Sequence, residues 1–410
     1  MPRRDMRPPQ ISMLLLLLGG LSGCKPSVSP PAGMTTRDSL GILILENRAP
    51  SEVRAPWILD TSSVIDIGSQ SADLNQEFSG FVIPVLLSDG RIVVANGGTS
   101  ELRFFGPDGK WIKSVGRRGA GPGEFESLGW LDVGAGDTLR TYDWDLRRLS
   151  VFSPAGDFVR PVSLHTGGEV SSPRPLGMLG DGRLIAQSQK SVTIESKPGA
   201  GRDTVPLFAL DLIRGVAESL GRFPSHEHLI HTGKGSVSAG SLPFGKDLHV
   251  LVHGSRVYVG TADGPEVLVL GTEGRVERVV RWTAASVPVT PADIDAYTEA
   301  GSREFGPGQE ERRERFLLRL KQTPFPKLKP AYAGLLAGPE GSIWVRRYTE
   351  PDRSAPTDFE VFDSTGRWLG GVRMPSGFFP ARITAGAVVG LWRDDNDVQH
   401  VRVYRLIAGR

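Results

Sequence analysis

Six times in this chain an apolar run meets a tight turn and comes back as an alternating strand. The clearest copy is LLSDGRIVVANGGTSELRFFGPDGKWIKSV, from Leu86 to Val115. There the turn Asp89-Gly90 leads into a strand at Arg91–Ala95. A second strand follows at Leu102–Phe105, then the turn Gly106-Pro107-Asp108-Gly109 and a third strand at Trp111–Val115. Asp-Gly between alternating runs marks a hairpin, because the turns that suit twisted strands need φ > 0 at their centre. The pattern returns at Leu131–Leu164, with turns at Gly136-Asp137 and Pro154-Ala155-Gly156. It returns at Leu176 with Asp181-Gly182 and then Phe208–Leu212. A fourth copy starts at His249 with Gly254-Ser255, Val267–Leu270 and Glu273-Gly274. A fifth starts at Leu335 with Glu340-Gly341, Phe359–Phe362 and Ser364-Thr365-Gly366. A degenerate sixth starts at Ile383 and ends with Val401–Leu406.

Each copy reads as a four-stranded antiparallel meander whose innermost strand precedes the first turn. Repeats of this length cannot bury their faces alone and must stack on neighbours. Arranged radially, they protect their edges by repetition around an axis. The expected fold is therefore all-β, a six-bladed β-propeller. A β-sandwich of this length would need two domains with a linker, and no linker separates the copies. A β-helix would show shorter, more regular coils. The last copy supplies only three strands, at Ile383–Val389, Gly390–Arg393 and Val401–Leu406. The segment 42–68, containing Trp57–Leu59 and Val64–Ile67, has the character of an outer strand and is expected to complete the last blade. The propeller thus spans residues 41–410.

One stretch, 283–330, breaks the period. Thr290-Pro291-Ala292-Asp293 reads as a helix start, with an N-cap followed by Pro at the first helical position. The helix runs to about Ser302. A second covers Gln309–Lys321, with Phe316, Leu317 and Leu320 at helical spacing. A helical hairpin is therefore expected between blades four and five, either as a solvated face or as a lid.

Ahead of the repeats, Arg3, Arg4 and Arg7 precede the apolar run Ile11 to Leu18, and small residues follow. That is a secretory signal over 1–23. The run is well below the ~20 residues that span a bilayer. Its end, Leu21-Ser22-Gly23-Cys24, resembles the lipobox of bacterial lipoproteins. The resemblance implies cleavage before Cys24, acylation of that cysteine and anchoring in the cell envelope. Lys25 after it, by the same resemblance, implies the outer membrane. An ordinary cleaved signal, with Cys24 incidental, is the other reading. Cys24 is the only cysteine, so no intramolecular disulfide forms and burial alone holds the fold. Residues 24–40 are rich in Pro, Ser, Thr and Gly and read as a disordered tether.

Two further motifs carry a family resemblance. Arg117-Arg118-Gly119-Ala120-Gly121-Pro122-Gly123-Glu124-Phe125 resembles the G-x-G-P-G-x-F connector of NHL-repeat propellers. Thr141-Tyr142-Asp143 through Arg147, Arg148, Val151 and Phe152 resembles that family's corner between second and third strands. The likeness is close over residues 86–164 and weak beyond. Within that group the chain resembles bacterial six-bladed propeller lipoproteins of unassigned function.

Forty-eight basic and 46 acidic residues leave a net charge of +2. That balance argues against a nucleic-acid partner, which needs clustered basic excess. No G-x-S-x-G, phosphate loop or cysteine nucleophile is present. His226, His228 and His231 are the one histidine cluster. Three imidazoles suit zinc, but 226 and 228 share a face only on a strand, and 228 and 231 only on a helix. A solvated loop is the plainer reading. Some six-bladed propellers are calcium-dependent lactonases and lyases, with ligands on the inner strands. Calcium wants six to eight oxygens, and Asp132 is the only carboxylate on the inner strands as read here. The expectation is a non-enzymatic binding or scaffold module without cofactor. A calcium- or zinc-dependent hydrolase or lyase is the alternative.

The remaining surface is the end that carries the connectors and the second-to-third strand corners. It gathers Arg117, Arg118, Glu124, Asp143, Arg147, Arg148 and Arg346, with Trp130 and Trp144 nearby. Mixed charge and aromatics suit a protein, peptide or glycan partner. The other reading is that Asp143 and Arg147 brace the blade, and that Glu124, Asp143 and Asp145 neutralise the arginines locally.

Overall fold

The computed structural model describes residues 33–48, 56–68, 73–164, 170, 173–188, 198–233, 236–349, 355–394 and 396–409. The signal, Cys24 and most of the tether lie outside them. Among the described residues no helix is long and apolar enough to cross a membrane.

The described residues form six antiparallel-built sheets. The first is Val82–Leu86, Ile92–Asn96, Glu101–Phe105 and Trp111–Val115. The second is Leu128–Val133, Leu139–Asp143, Arg148–Phe152 and Phe158–Ser163. The third is Pro173–Met178, Leu184–Ser188, Gly199–Asp211, Val216–Gly233 and Ser236–Ser241. The fourth starts with His249–His253, Arg256–Gly260, Glu266–Leu270 and Val276–Trp282. The fifth is Gly334–Ala337, Ile343–Arg346, Asp358–Phe362 and Trp368–Arg373. The sixth is Phe378–Ile383, Ala387–Arg393, Gln399–Ala408 and, from the other end of the chain, Trp57–Ile67.

Second strands lie between two neighbours, and where both faces are packed by apolar cores they read as nearly unbroken apolar runs. Ile92–Asn96, IVVAN, is buried at every position. Fourth strands such as Phe158–Ser163 keep polar residues outward.

The cores lie between sheets rather than within them. Phe104 of the first sheet and Phe152 of the second share one cluster; Tyr142 and Phe208 join the second to the third. Leu207 and Val259 join the third to the fourth, and Val269 and Phe362 the fourth to the fifth. Phe359 and Phe378 join the fifth to the sixth. Ile67 and Val94 join the sixth back to the first. The ring closes, and the first strands line its axis. This is a β-propeller arrangement.

Glycine in the third-to-fourth strand turn serves this packing. Gly156 has φ +87°, and a Cβ there would lie 2.8 Å from Phe104 of the preceding sheet. Gly366 has φ +92°, and a Cβ there would lie 2.6 Å from Leu45. Both the backbone conformation and the space require glycine.

Four expectations are corrected. Ile42–Asn47 does not join the last sheet. It lies parallel to Val276–Trp282 on the fourth. Asn47 fixes it there, donating to the carbonyls of Arg281 and Gly366 and accepting from the Trp368 N–H. The tether reading of 24–40 ran too far, because Met34–Ser39 is a strand paired with Ile42–Asn47. Its mostly polar side chains hide a strand held chiefly by backbone pairing, with Met34 on the neighbouring core and Arg37 3.6 Å from Glu46. The last inner strand is Phe378–Ile383, not a run starting at Ile383. Its turn, Thr384-Ala385-Gly386, lacks the Asp-Gly that marks the turns at Asp89-Gly90 and Asp181-Gly182. Finally, the histidine segment is no loop. It lies in the long strand Val216–Gly233.

Helices α1 (Pro291–Arg303) and α2 (Glu310–Lys321) fall between the fourth and fifth sheets. Thr290 and Asp293 form a reciprocal capping box at the start of α1. Tyr297 and Phe325 pack on Phe244, which leads into the fourth sheet.

Candidate functional site

The connector after the first sheet is held from several sides. Phe125 is 1% exposed and fills the gap between the first two sheets. Arg148 donates to the carbonyls of Ala120, Gly121 and Glu124 at 2.8–3.0 Å. Glu124 accepts from the Gly121 N–H at 2.8 Å and from Arg117 at 2.7 Å. The Gly121 amide, then Arg117, holds the Glu124 carboxyl below its usual range. Arg118 lies 3.7 Å from Glu126.

Asp143 is 2% exposed. One carboxylate oxygen accepts from the N–H groups of Glu126 and Ser127, the other from those of Asp145 and Leu146. The residue therefore ties the connector to the corner. Arg147 is exposed and sits at φ +48° in that corner. Of the predicted surface residues, Arg117, Arg118, Glu124, Asp143 and Arg148 all have partners within the scaffold.

Arg346 lies elsewhere. It ends the second strand of the fifth sheet and faces the axis. Together with Arg174, Gln187, Ser225, His226, Ser241, Asp247 and His249 it lines a cavity of about 550 Å³. Arg174 and His249 begin first strands, and Gln187 and Arg346 lie at the ends of second strands, so the cavity opens at the connector-and-corner end. Leu176, Val250, Leu335 and Leu336 line its inner side. The same four residues also line a second cavity, of about 620 Å³, at the opposite end. They form an apolar waist between two polar mouths.

The electrostatics of the first mouth are one-sided. Arg174 is exposed and makes no ion pair among the described residues. Arg346 donates to the Ala333 carbonyl, and its Nε is buried without a hydrogen-bond partner. Burial pushes its pKa down. Asp247, the one carboxylate in the lining, accepts from its neighbour Leu248 N–H at 2.8 Å. Burial pushes the His249 imidazole down to about 4; Asp247 opposes this, while Arg346 and Arg202 add to it. His249 is thus neutral at neutral pH, with one ring N–H to donate and one nitrogen to accept. Its ring packs 5.7 Å from that of Tyr332. The Tyr332 hydroxyl accepts from Ala262 N–H and donates to the Glu266 carbonyl, which fixes it. Behind the mouth, Arg202 grips both oxygens of Asp263 and the carbonyls of Ser225 and Thr261. This braces the long hairpin of the third sheet against the fourth.

His226 and His228 share a face of their strand, with rings 5.8 Å apart. His231 alternates to the other face. The three therefore do not converge. Asp132 sits at the opposite mouth, within 3.4 Å of Arg140 and 3.2 Å of Arg382. Among the described residues no three His, Cys, Asp or Glu side chains come together as a metal needs. Arg174, Gln187, Asp247 and His249 were missed as site residues. They belong to no motif, and only the positions of Arg174, Gln187 and His249 near strand ends next to the axis mark them in the sequence.

No family model matches the sequence, and no curated protein does. Solved structures do match. A member of the DUF4221 family from Bacteroides vulgatus is 11% identical, with a TM-score of 0.52 over 86% of this chain and 99% of its own. Virginiamycin B lyase from Staphylococcus aureus is 10% identical, at 0.42 over 84% and 99%. Regucalcin, a calcium-binding protein from Agrobacterium tumefaciens, is 11% identical, at 0.37 over 82% and 93%. The neighbours are propeller-type proteins, and the likeness is one of fold alone.

Proposed function

We propose that this protein is an exported six-bladed β-propeller, anchored by lipid at Cys24, that binds a ligand in its axial mouth without a metal or other cofactor. The ligand is a small molecule, or the end of a peptide or glycan. The observation that carries this reading is the 550 Å³ cavity, which holds two guanidinium groups and one carboxylate. Its size is that of a small-molecule site. Six sheets joined by six shared cores support the blade count. The Leu21-Ser22-Gly23-Cys24 motif supports the envelope address, and residues 117–152 support kinship with NHL-repeat propellers. The chemistry of the donors counts against the metal-dependent alternative. Asp132 is occupied by two arginines, and the described histidines do not converge.

Immobilised full-length protein, incubated with a bacterial envelope extract and eluted for mass spectrometry, tests this reading. Arg346→Gln is expected to lose what the wild type retains. Arg117→Ala/Arg118→Ala is expected to keep it, since those arginines face partners of their own. Loss with the double variant and retention with Arg346→Gln would place the ligand on the loops and refute the mouth.

A further inference from the structure

The Nε–H of Arg346 is a buried donor with nothing to give its proton to. Leaving a buried donor of a charged group unpaired is among the more destabilising features a fold can carry. Arg148 carries a like Nε inside the scaffold, but the one at Arg346 belongs to a cavity wall, where a ligand could supply an acceptor. The space beside it is kept by Gly334: a Cβ there would sit 3.4 Å from that Nε. Gly334 has no positive φ, so its backbone does not demand glycine. The missing side chain leaves room beside the guanidinium at the cavity wall, although the Nε itself is covered.

We propose that Arg346 and Arg174 recognise a carboxylate on a small, hydroxyl-bearing molecule held in this mouth. The inference rests on the binding reading above and names the ligand's chemistry. A guanidinium presents parallel N–H groups spaced for the two oxygens of a carboxylate. Lysine could supply the charge but not that fork. Two arginines against Asp247 leave the mouth positive, and a concave wall strengthens the field. Gln187, Ser225 and Ser241 supply donors and acceptors suited to hydroxyl groups. His249, neutral, adds one of each without adding charge. The apolar waist of Leu176, Val250, Leu335 and Leu336 stops the ligand's uncharged end.

The test is calorimetric titration of the full-length protein with lactate, tartrate and glucuronate, each beside its primary amide, and with inorganic phosphate. At least one carboxylate is expected to bind, at least tenfold more tightly than its amide and than phosphate. Arg346→Gln and Gly334→Ala are each expected to weaken that binding tenfold or more. Gly334→Ala keeps every charge, and its melting temperature checks that the fold is intact. Arg117→Ala should bind as the wild type does. Equal binding of acid and amide, lost in Gly334→Ala, would keep the mouth as a binding site but overturn carboxylate recognition. Preference for phosphate, binding untouched by both mouth variants, or no binding of any carboxylate would overturn the proposal outright.

Discussion

A chain that begins at Ser69 is expected to be insoluble, or to unfold far below the intact protein. It lacks Trp57–Ile67, which pairs along Gln399–Ala408 from Val401↔Ile67 to Ala408↔Trp57. Without it a ten-residue strand becomes an exposed edge, and an unpaired edge templates aggregation. Leu59 and Ile67, 8% and 0% exposed, also leave the cores on either side of the last sheet. Their burial alone is worth roughly 3–6 kcal/mol. The polar part of the junction goes as well. Asp66 lies 2.7 Å from the buried His400 ring and also accepts from Arg402, which stacks 3.3 Å over Trp392. A chain starting at Pro56 is the control. It keeps this strand but loses Met34–Ser39 and Ile42–Asn47, with buried Leu45 and the bonds of Asn47, so it isolates what that strand pair contributes; it should be destabilised, but less than the Ser69 chain, because the ring stays closed. Solubility and thermal melts of the two decide the matter. Equal behaviour would mean that ring closure contributes little.

The second large effect is expected at Asp143. Asp143→Ala removes the acceptor of four backbone N–H groups at a site 2% exposed. Bonds to a charged acceptor contribute roughly 1.5–3 kcal/mol each, and partial rescue by water reduces the sum to about 3–5 kcal/mol. Asp143→Asn should recover part of that loss, because its amide keeps one acceptor oxygen but turns a donor toward the other pair of N–H groups. Urea unfolding monitored by tryptophan fluorescence reads the midpoint shift. Variants that unfold like the wild type would show that the corner is held by packing rather than by this carboxylate.

The repeat was legible because it rests on local chemistry. Asp89-Gly90 and Gly106-Pro107-Asp108-Gly109 need special backbone angles, and the runs between them need burial. Sequence carries both. The last sheet was harder to read because its first turn, Thr384-Ala385-Gly386, has neither Asp-Gly nor a charged or Ser residue beside its glycine, and because its fourth strand comes from the other end of the chain. The hairpin at Met34–Ser39 left no apolar trace: its residues are exposed or half-buried, and it is held by pairing with a strand that sits on the fourth sheet. Asp143 and Arg148 stood out because motif residues are close in sequence. The mouth did not, because Arg174, His249 and Arg346 come from three different sheets and meet only at the axis. Arg346 was read as part of the loop face and lies in the wall of the mouth, but its unpaired Nε is a property of packing. The separation of His231 from His226 and His228 likewise followed from a strand that the Pro and Gly residues around it obscured.

The most direct measurement places a photo-crosslinking amino acid, p-benzoylphenylalanine, at Gln187 inside the mouth and, separately, at Lys110 on an outer turn. Each chain is expressed with its signal in a bacterial host and irradiated in intact cells. The adducts are mapped by peptide mass spectrometry. A ligand-binding mouth predicts a discrete mass added at residue 187, reduced by Arg346→Gln, and no such adduct at residue 110. Adducts at 110 with none at 187, or a mass at 187 that Arg346→Gln leaves unchanged, would contradict the account.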